Sequence, residues 1–421
     1  MQTIQMLYGS GTMELRIPQD SYCQILESRT QSVVSDPEKI LRDALENPIG
    51  SADIRELTKT AKTILIITND NTRPMPSNLT IPALIGQFFY PKEHYDITIL
   101  IAAGLHRAMT DAEIRQQLGN EVAEKYPVVV HSATNQSSLT SFGLLPSGKE
   151  LFLNRLVKEH DLVIAEGFIE PHFFAGYSGG RKSILPGVAG ADNILENHSP
   201  NNIANPGSCQ ANLVGNPIHD ECVAAARLAN LQFILNVALN KDKQIIAAFA
   251  GHPEIAHLEG CRFVEAHMTM DALQTDIVVA SNNGYPLDRN LYQVVKGIDT
   301  AAKVARKGGA IIMTVECLDG VGHDSFRALI QSCASVEELN EKMSLPPCDI
   351  DKWQVQVLAR ALIDHTIILV SGGIERELAE QLFFGYAATL DEALVRALSL
   401  IGEGASISVL PEGPVIIPRI K

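Results

Sequence analysis

The chain has 421 residues, too many for one compact core, so two domains are expected. It is 46% hydrophobic and 20% charged, an ordinary globular mix. A net charge of −15 and a pI near 5.3 argue against nucleic acid and against an anionic membrane surface, so an anionic substrate would need its own local Arg, Lys or backbone N–H groups. Met1 to Met13 is mixed and polar and predicts no secretory leader, and no apolar run reaches membrane-spanning length. Seven cysteines are scattered, odd in number and never in C-x-x-C. That pattern predicts reduced thiols in a cytoplasmic protein, with neither a disulfide framework nor a cysteine metal cage.

Residues 1–20 alternate apolar and polar and read as an edge hairpin. Pro37 to Asn47 reads as a helix. Thr63–Thr68 is a buried strand that ends in Asn69-Asp70-Asn71-Thr72-Arg73-Pro74. Ile81 to Phe89 is a helix candidate. The strand Asp96–Ala103 ends in Gly104-Leu105-His106-Arg107. Thr110 with Glu113 forms a capping box, and the helix it starts is expected to run to Lys125. Pro127–Val130 is a third strand, ending at His131. A helix over Leu151–Glu159 leads to a fourth strand, Leu162–Ala165.

Residues 188–230 read as helix and loop, with Asn193, His198 and Asn201 among them. A strand at Leu231–Leu239 and a helix at His252–Met270 follow. A second α/β unit then opens with the strand Thr275–Ala280, a turn at Ser281–Pro286 and a helix at Leu291–Val304. Ala310–Thr314 and Thr366–Val370 are further strands, Asp391–Leu400 a helix, and Ser406–Leu410 a last strand before the turn Pro411-Glu412-Gly413. Strands alternate with helices, which predicts mostly parallel α/β sheets. The expected division is an N-terminal α/β domain over 1–268, to which the tail 402–421 returns, and a C-terminal α/β domain over 272–400.

Sites in such sheets lie beyond the carboxyl ends of the strands. Here four successive ends carry Asp70 and Arg73, His106, His131 and His172. The densest stretch is Glu170 to Gly187, with four glycines and two prolines around His172 and the Arg181-Lys182 pair. Glycine at that density lets backbone approach a ligand and costs folding entropy. Gly176 to Ser183 nearly fits the phosphate loop G-x-x-x-x-G-K-[ST], but Arg181 stands where the second glycine belongs. Phosphate held by backbone N–H groups and Arg181 remains one reading, and a tight turn with a solvated Arg-Lys pair another. His172 and His198 are imidazoles with a lysine between them, an incomplete metal site. No H-E-x-x-H and no two-histidine-one-carboxylate signature is present.

The stretches Asp70-Asn71-Thr72-Arg73-Pro74, Gly104-Leu105-His106-Arg107, Glu170 through Gly187, His198 and Tyr285 to Gly297 together resemble the nickel-pincer-dependent lactate racemase family. The likeness runs over nearly the whole chain. It implies two α/β domains with the active site between them. It also implies nickel in a pyridinium-3,5-bisthiocarboxylic acid mononucleotide, tethered covalently through Lys182. On this resemblance His198 is the protein's metal ligand, and His106 and His172 are the catalytic acid/base pair. Tyr177, Ser178, Gly179, Gly180, Arg181 and Asp70 join Lys182 in binding the cofactor, with Asp70 also orienting a basic group. Arg73, Gln293 and Lys296 hold substrate, and Tyr292 and Trp353 shape its pocket. The implied reaction is racemisation of a 2-hydroxy acid through a 2-keto acid, lactate being the leading substrate. Malate, a longer hydroxy acid or a sugar acid is the alternative. Cofactor-biosynthesis enzymes are implied as maturation partners.

Two other classes fit parts of the pattern. One is a carrier or sensor that keeps the tether without turnover, against which both His106 and His172 argue. The other is an NAD-dependent dehydrogenase, but no G-x-G-x-x-G follows a strand with an acidic residue beyond it. His131, His219, His252, His257, His267, His323 and His365 are expected to be structural or on the surface.

Overall fold

The computed structural model of the chain describes residues 2–18, 22–29 and 36–421. Residues 1, 19 and 20 of the expected N-terminal hairpin lie outside them. Two six-stranded sheets organise the molecule. The first has the order Ile245–Gly251, Phe233–Leu239, Leu162–Phe168, Thr63–Asn69, Asp96–Ala102, Val128–Val130. All but the edge strand Ile245–Gly251 run parallel. Leu162–Phe168 is buried at every position, as a central strand with helices on both faces must be. The chain enters this sheet in its middle at Thr63–Asn69 and builds outward to Val128–Val130. It then crosses back to the other side with Leu162–Phe168. The loops leaving these two neighbours part in opposite directions and open a crevice at the carboxyl edge.

The second sheet has the order Gly385–Ala387, Thr366–Val370, Ala305–Thr314, Thr275–Ser281, Ile407–Leu410, Cys23–Ile25, all parallel. Its helix Leu291–Val304 buries eleven of its fourteen residues. One apolar core runs through both halves, holding Phe173 and Phe174 together with Leu291, Tyr292 and Trp353. No helix among the described residues is long and apolar enough to cross a membrane.

Several expectations shift. The hairpin Gln2–Tyr8 with Gly11–Ile17 buries Ile4, Met6, Leu15 and Ile17 against the second sheet, and Cys23–Ile25 pairs with Ile407–Leu410. The unit expected over 1–268 therefore packs its hairpin on the second sheet and gives that sheet the strand Cys23–Ile25. The tail expected to return to the first domain puts Ile407–Leu410 in the second sheet, and its end, Ile417–Ile420, pairs with Thr269–Ala272. Alternation marks which side chains are buried, not the sheet they are buried against. Within Leu151–Glu159, the first part is the strand Glu150–Asn154, paired with Leu139–Leu144, and only Leu156–Glu159 makes a helical turn. Leu151 and Leu153 are buried and Phe152 faces outward, a period of two that the neighbouring Leu156 and Val157 mask. The helix expected at Ile81–Phe89 begins earlier and spans Ser77–Ile85. The helix capped by Thr110 stops at Leu118, where Gly119 takes φ +81°, and Asn120–Lys125 starts afresh.

Candidate active site

The crevice of the first sheet and the first turn of Leu291–Val304 enclose a cavity of about 140 Å³. Asp70 leaves the strand Thr63–Asn69 and is only 3% exposed. Its carboxylate accepts from the Thr72 hydroxyl at 2.5 Å and from His106 Nδ1 at 2.5 Å. Burial pushes this carboxyl up, but the charge of His106, its hydrogen bond and Arg73 outweigh burial and hold it well below the usual carboxylate range. His106 thus carries hydrogen on Nδ1, and in its neutral form Nε2 is the lone-pair acceptor. Gly104, at φ +53°, turns the chain so that His106 meets Asp70. Glu113 ties the two loops together, accepting from Asn71 Nδ2 at 2.7 Å and from Arg107 Nη1 at 2.9 Å. Arg107, with the Thr110 N–H and hydroxyl, lowers that carboxyl to about 2.

The glycine-rich stretch folds as a miniature hairpin, Pro171-His172 against Gly176-Tyr177, followed by a 3-10 turn at Gly180–Ser183. Gly176 takes φ +77°, and a Cβ there would sit 2.3 Å from the Asn212 carbonyl oxygen, so only glycine fits. His172 is buried against the rings of Phe173 and Phe174, at 4.9 and 4.6 Å between centroids. Its Nδ1 accepts from the Ala175 N–H at 3.3 Å, so the neutral ring keeps its hydrogen on Nε2. Burial, then the charges of Lys182, Lys296 and Arg73, push His172 well below the ordinary imidazole value. In their neutral forms His106 and His172 therefore hold opposite tautomers: His106 presents an acceptor and His172 a donor.

Lys182 lines the cavity, its Nζ 5.6 Å from the centre of the Phe174 ring. Burial first, then Arg181, Arg73 and Lys296, push its amine well below the ordinary lysine value. Among the described residues no carboxylate forms an ion pair with it. Lowering a lysine's basicity raises the share of free amine, the form that acts as a nucleophile. Ser178 and Gly179 also face the cavity; Tyr177, Gly180 and Arg181 do not. The Gly180 N–H is committed to Asn236 Oδ1 at 2.8 Å. The Arg181 guanidinium points away, donating to the carbonyls of Ala175 and Tyr177 at 2.8 and 2.9 Å and lying 2.8 Å from His257 Nε2. Arg181 is neither a solvated partner of Lys182 nor a phosphate ligand in this cavity. It is an internal clamp on the glycine loop.

His198 caps the helix Ala191–Asn197 at its C-terminus and donates from Nδ1 to the Ile194 carbonyl at 3.0 Å. Its Nε2 lone pair is thereby free. The ring sits 5.1 Å from both Phe174 and Trp353, and burial, then Lys182, pushes it down to about 3. From the second domain, Asn290 caps Leu291–Val304 and so fixes its first turn. That turn delivers Tyr292, Gln293 and Lys296, and Trp353 Nε1 donates to the Tyr292 hydroxyl at 3.3 Å. Gln293 Oε1 and Lys296 Nζ are buried without a hydrogen-bond partner. Burial, then Arg73, brings Lys296 down to about 7. Three side chains of basic type, Arg73, Lys182 and Lys296, face two carboxylates, Asp70 and Asp351. The cavity suits a small anion with further polar groups.

The structure brings together Asp70, Arg73, His106, His172, Lys182, His198, Tyr292, Gln293, Lys296 and Trp353. His131 is not among them; it is buried against the Ala189 carbonyl and Asn154. Sequence reasoning missed His323, Asp351 and Gln354, which also line the cavity. The one signal for His323 is its place just after Gly320-Val321-Gly322, in the loop that follows a strand of the second sheet.

Comparison with known proteins identifies the family. Residues 8–210 match the family model described as the lactate racemase N-terminal domain, and residues 270–417 match the lactate racemase C-terminal domain. The chain is 41% identical over its full length to the whole lactate racemase of Thermoanaerobacterium thermosaccharolyticum, and 38% identical, again end to end, to that of Lactiplantibacillus plantarum. It superposes on the lactate racemase apoprotein of T. thermosaccharolyticum with a TM-score of 0.94, covering 99% of this chain and all of that one. A Thermotoga maritima protein, 19% identical with a TM-score of 0.66, shares the fold over 92% of this chain.

Proposed function

As a member of the lactate racemase family this chain is a racemase, an isomerase, and we propose that it interconverts the enantiomers of a small 2-hydroxy acid, lactate first among them. The observation that carries the reading is two imidazoles in one cavity with Nδ1 engaged, His106 by Asp70 and His172 by the Ala175 N–H, so that each keeps Nε2 for proton exchange.

The residues present fit the tethered nickel-pincer nucleotide. Lys182 is a buried amine held toward neutrality, as an acyl or thioacyl linkage requires. His198 offers a free Nε2 with its other nitrogen fixed by a carbonyl, the usual arrangement of a ligating imidazole. Among the described residues no three His, Cys, Asp or Glu side chains gather to hold a metal. A metal here would take His198 from the protein and its remaining donors from the organic group. When bound, that group supplies a reversible hydride acceptor for the C2 hydrogen.

The chain's own residues supply the rest. Arg73 holds the substrate carboxylate through its planar fork. His106, oriented by Asp70, takes the hydroxyl proton as C2 becomes planar. Gln293 and Lys296, unpartnered in the cavity wall, meet the C2 oxygen. His172, once it has taken up a proton as the imidazolium, returns it to that oxygen when hydrogen is restored on the opposite face, and the two histidines exchange roles in the reverse direction. Tyr292 and Trp353, joined by their hydrogen bond, form the wall of the cavity contributed by the second domain.

The test is the intact mass of the chain and of Lys182→Ala, each co-produced with the cofactor-making enzymes. A nucleotide-sized increase on the parent alone, with chiral conversion of lactate, is expected. Equal unmodified masses, when a control racemase in the same host is loaded, would overturn the tether.

A further inference from the structure

Each conversion in one direction leaves His106 with one proton more and His172 with one fewer. The next turnover in that direction therefore waits until His106 has lost its proton. This reasoning rests on the racemase reading above. The structure holds a group suited to the task. His323, from the second domain, lines the same cavity, with its side chain 27% exposed. Its Nδ1 lies 3.1 Å from both oxygens of Asp351, a carboxylate 2% exposed that also accepts from the Ser325 hydroxyl. Nδ1 thus carries the hydrogen, and Nε2 is left as an acceptor. This is the electronic state of His106, repeated by a second His–Asp pair from the other side of the cleft. The two imidazoles meet edge to face with centroids 6.2 Å apart, a gap that one water molecule spans. The ring of His323 is fixed by stacking on Tyr292, at 4.1 Å and 23°.

We propose that His323, oriented by Asp351, relays the proton collected by His106 to solvent. The His106 imidazolium gives its Nε2 proton to Nε2 of His323 through one water. His323 passes it to water or buffer, His172 regains its proton from the same solvent pool, and Asp351 stays a carboxylate throughout. His323 acts through His106 and does not touch the reacting carbon, so it is a positioning residue and not a catalytic one.

The test uses the cofactor-loaded enzyme with His323→Ala and His323→Phe, the second keeping a ring on Tyr292. Both are expected to lose tenfold or more in kcat with KM little changed. In His323→Ala, imidazole added as buffer should restore kcat in a saturable way, while the parent ignores buffer concentration. Full kcat in His323→Phe, or a loss in His323→Ala that imidazole does not relieve, overturns the relay. A second readout needs no turnover. In the protein without cofactor, ring-nitrogen NMR should place hydrogen on Nδ1 of both His106 and His323, and hydrogen on Nε2 of His323 overturns the proposal. A loaded parent that converts no 2-hydroxy acid overturns the racemase reading beneath it, and the NMR result still reports on the His323–Asp351 pair.

Discussion

Asp70 sets the tautomer and orientation of His106, because its buried carboxylate accepts from Nδ1. Asp70→Asn keeps the shape and loses the charge. It should lower kcat by about 10²–10³-fold, the range a positioned acid/base contributes, with the fold intact by circular dichroism. Arg73 donates from Nη1 to the Thr72 hydroxyl at 3.0 Å, and that hydroxyl bonds Asp70, so the guanidinium is aimed before substrate arrives. Arg73→Lys keeps the charge without the fork. Losing one charge-assisted hydrogen bond, about 1.5–3 kcal/mol, should cost roughly ten- to a hundredfold in kcat/KM, read from initial rates on each enantiomer.

At the scale of elements, the strand Leu162–Phe168 carries a feature its apolar start conceals. Glu166 is fully buried and accepts from the hydroxyls of Thr68, at 2.5 Å, and Thr80. Burial raises this carboxyl above its ordinary value despite those hydroxyls. A raised acid favours the folded state below the unfolded pKa of about 4.3 and loses that contribution as pH rises through the folded value. Chemical denaturation of the parent and of Glu166→Gln from pH 5 to 8 should show their stability difference moving against the parent as pH rises. A pH-independent difference would refute it. The capping box at Thr110 is a contrasting case, where both reciprocal hydrogen bonds predicted from two residue types are present. Glu113 does more than cap, since it also joins the loops that carry Asp70 and His106.

At the scale of the whole molecule, the active cavity exists only while the two domains are seated together. Gln210 is one of the side chains that seat them. Its Nε2 donates to the carbonyls of Pro414 and Ile416 at 3.1 and 2.9 Å, and its Oε1 accepts from Lys303 at 3.1 Å. The next residue, Ala211, donates to the Gly176 carbonyl at 2.9 Å, so the same segment grips the glycine loop. Gln210→Ala should lower unfolding stability by about 1–2 kcal/mol, and KM should rise more than kcat falls as the cavity loosens. Unchanged stability and KM would place the domain contact elsewhere.

Local order along the chain determined the α/β class, most of the strands, the capping box and the delivery of polar groups to strand ends. These depend on periods of two and 3.6 and on short-range hydrogen bonds, which a sequence carries within a few residues. The resemblance to known racemases supplied the site set, and twelve of its members line one cavity. Only the tertiary structure decided the rest. It packed the N-terminal hairpin on the second sheet and put Cys23–Ile25 and Ile407–Leu410 into it, because burial patterns do not name their partner. It turned Arg181 inward, because a guanidinium's direction follows from the carbonyls around it and not from its neighbour in sequence. It also placed His323 beside His106, although 217 positions separate them in the chain (323 − 106). Contacts of that span are made by sheet order and domain seating, which no local pattern encodes.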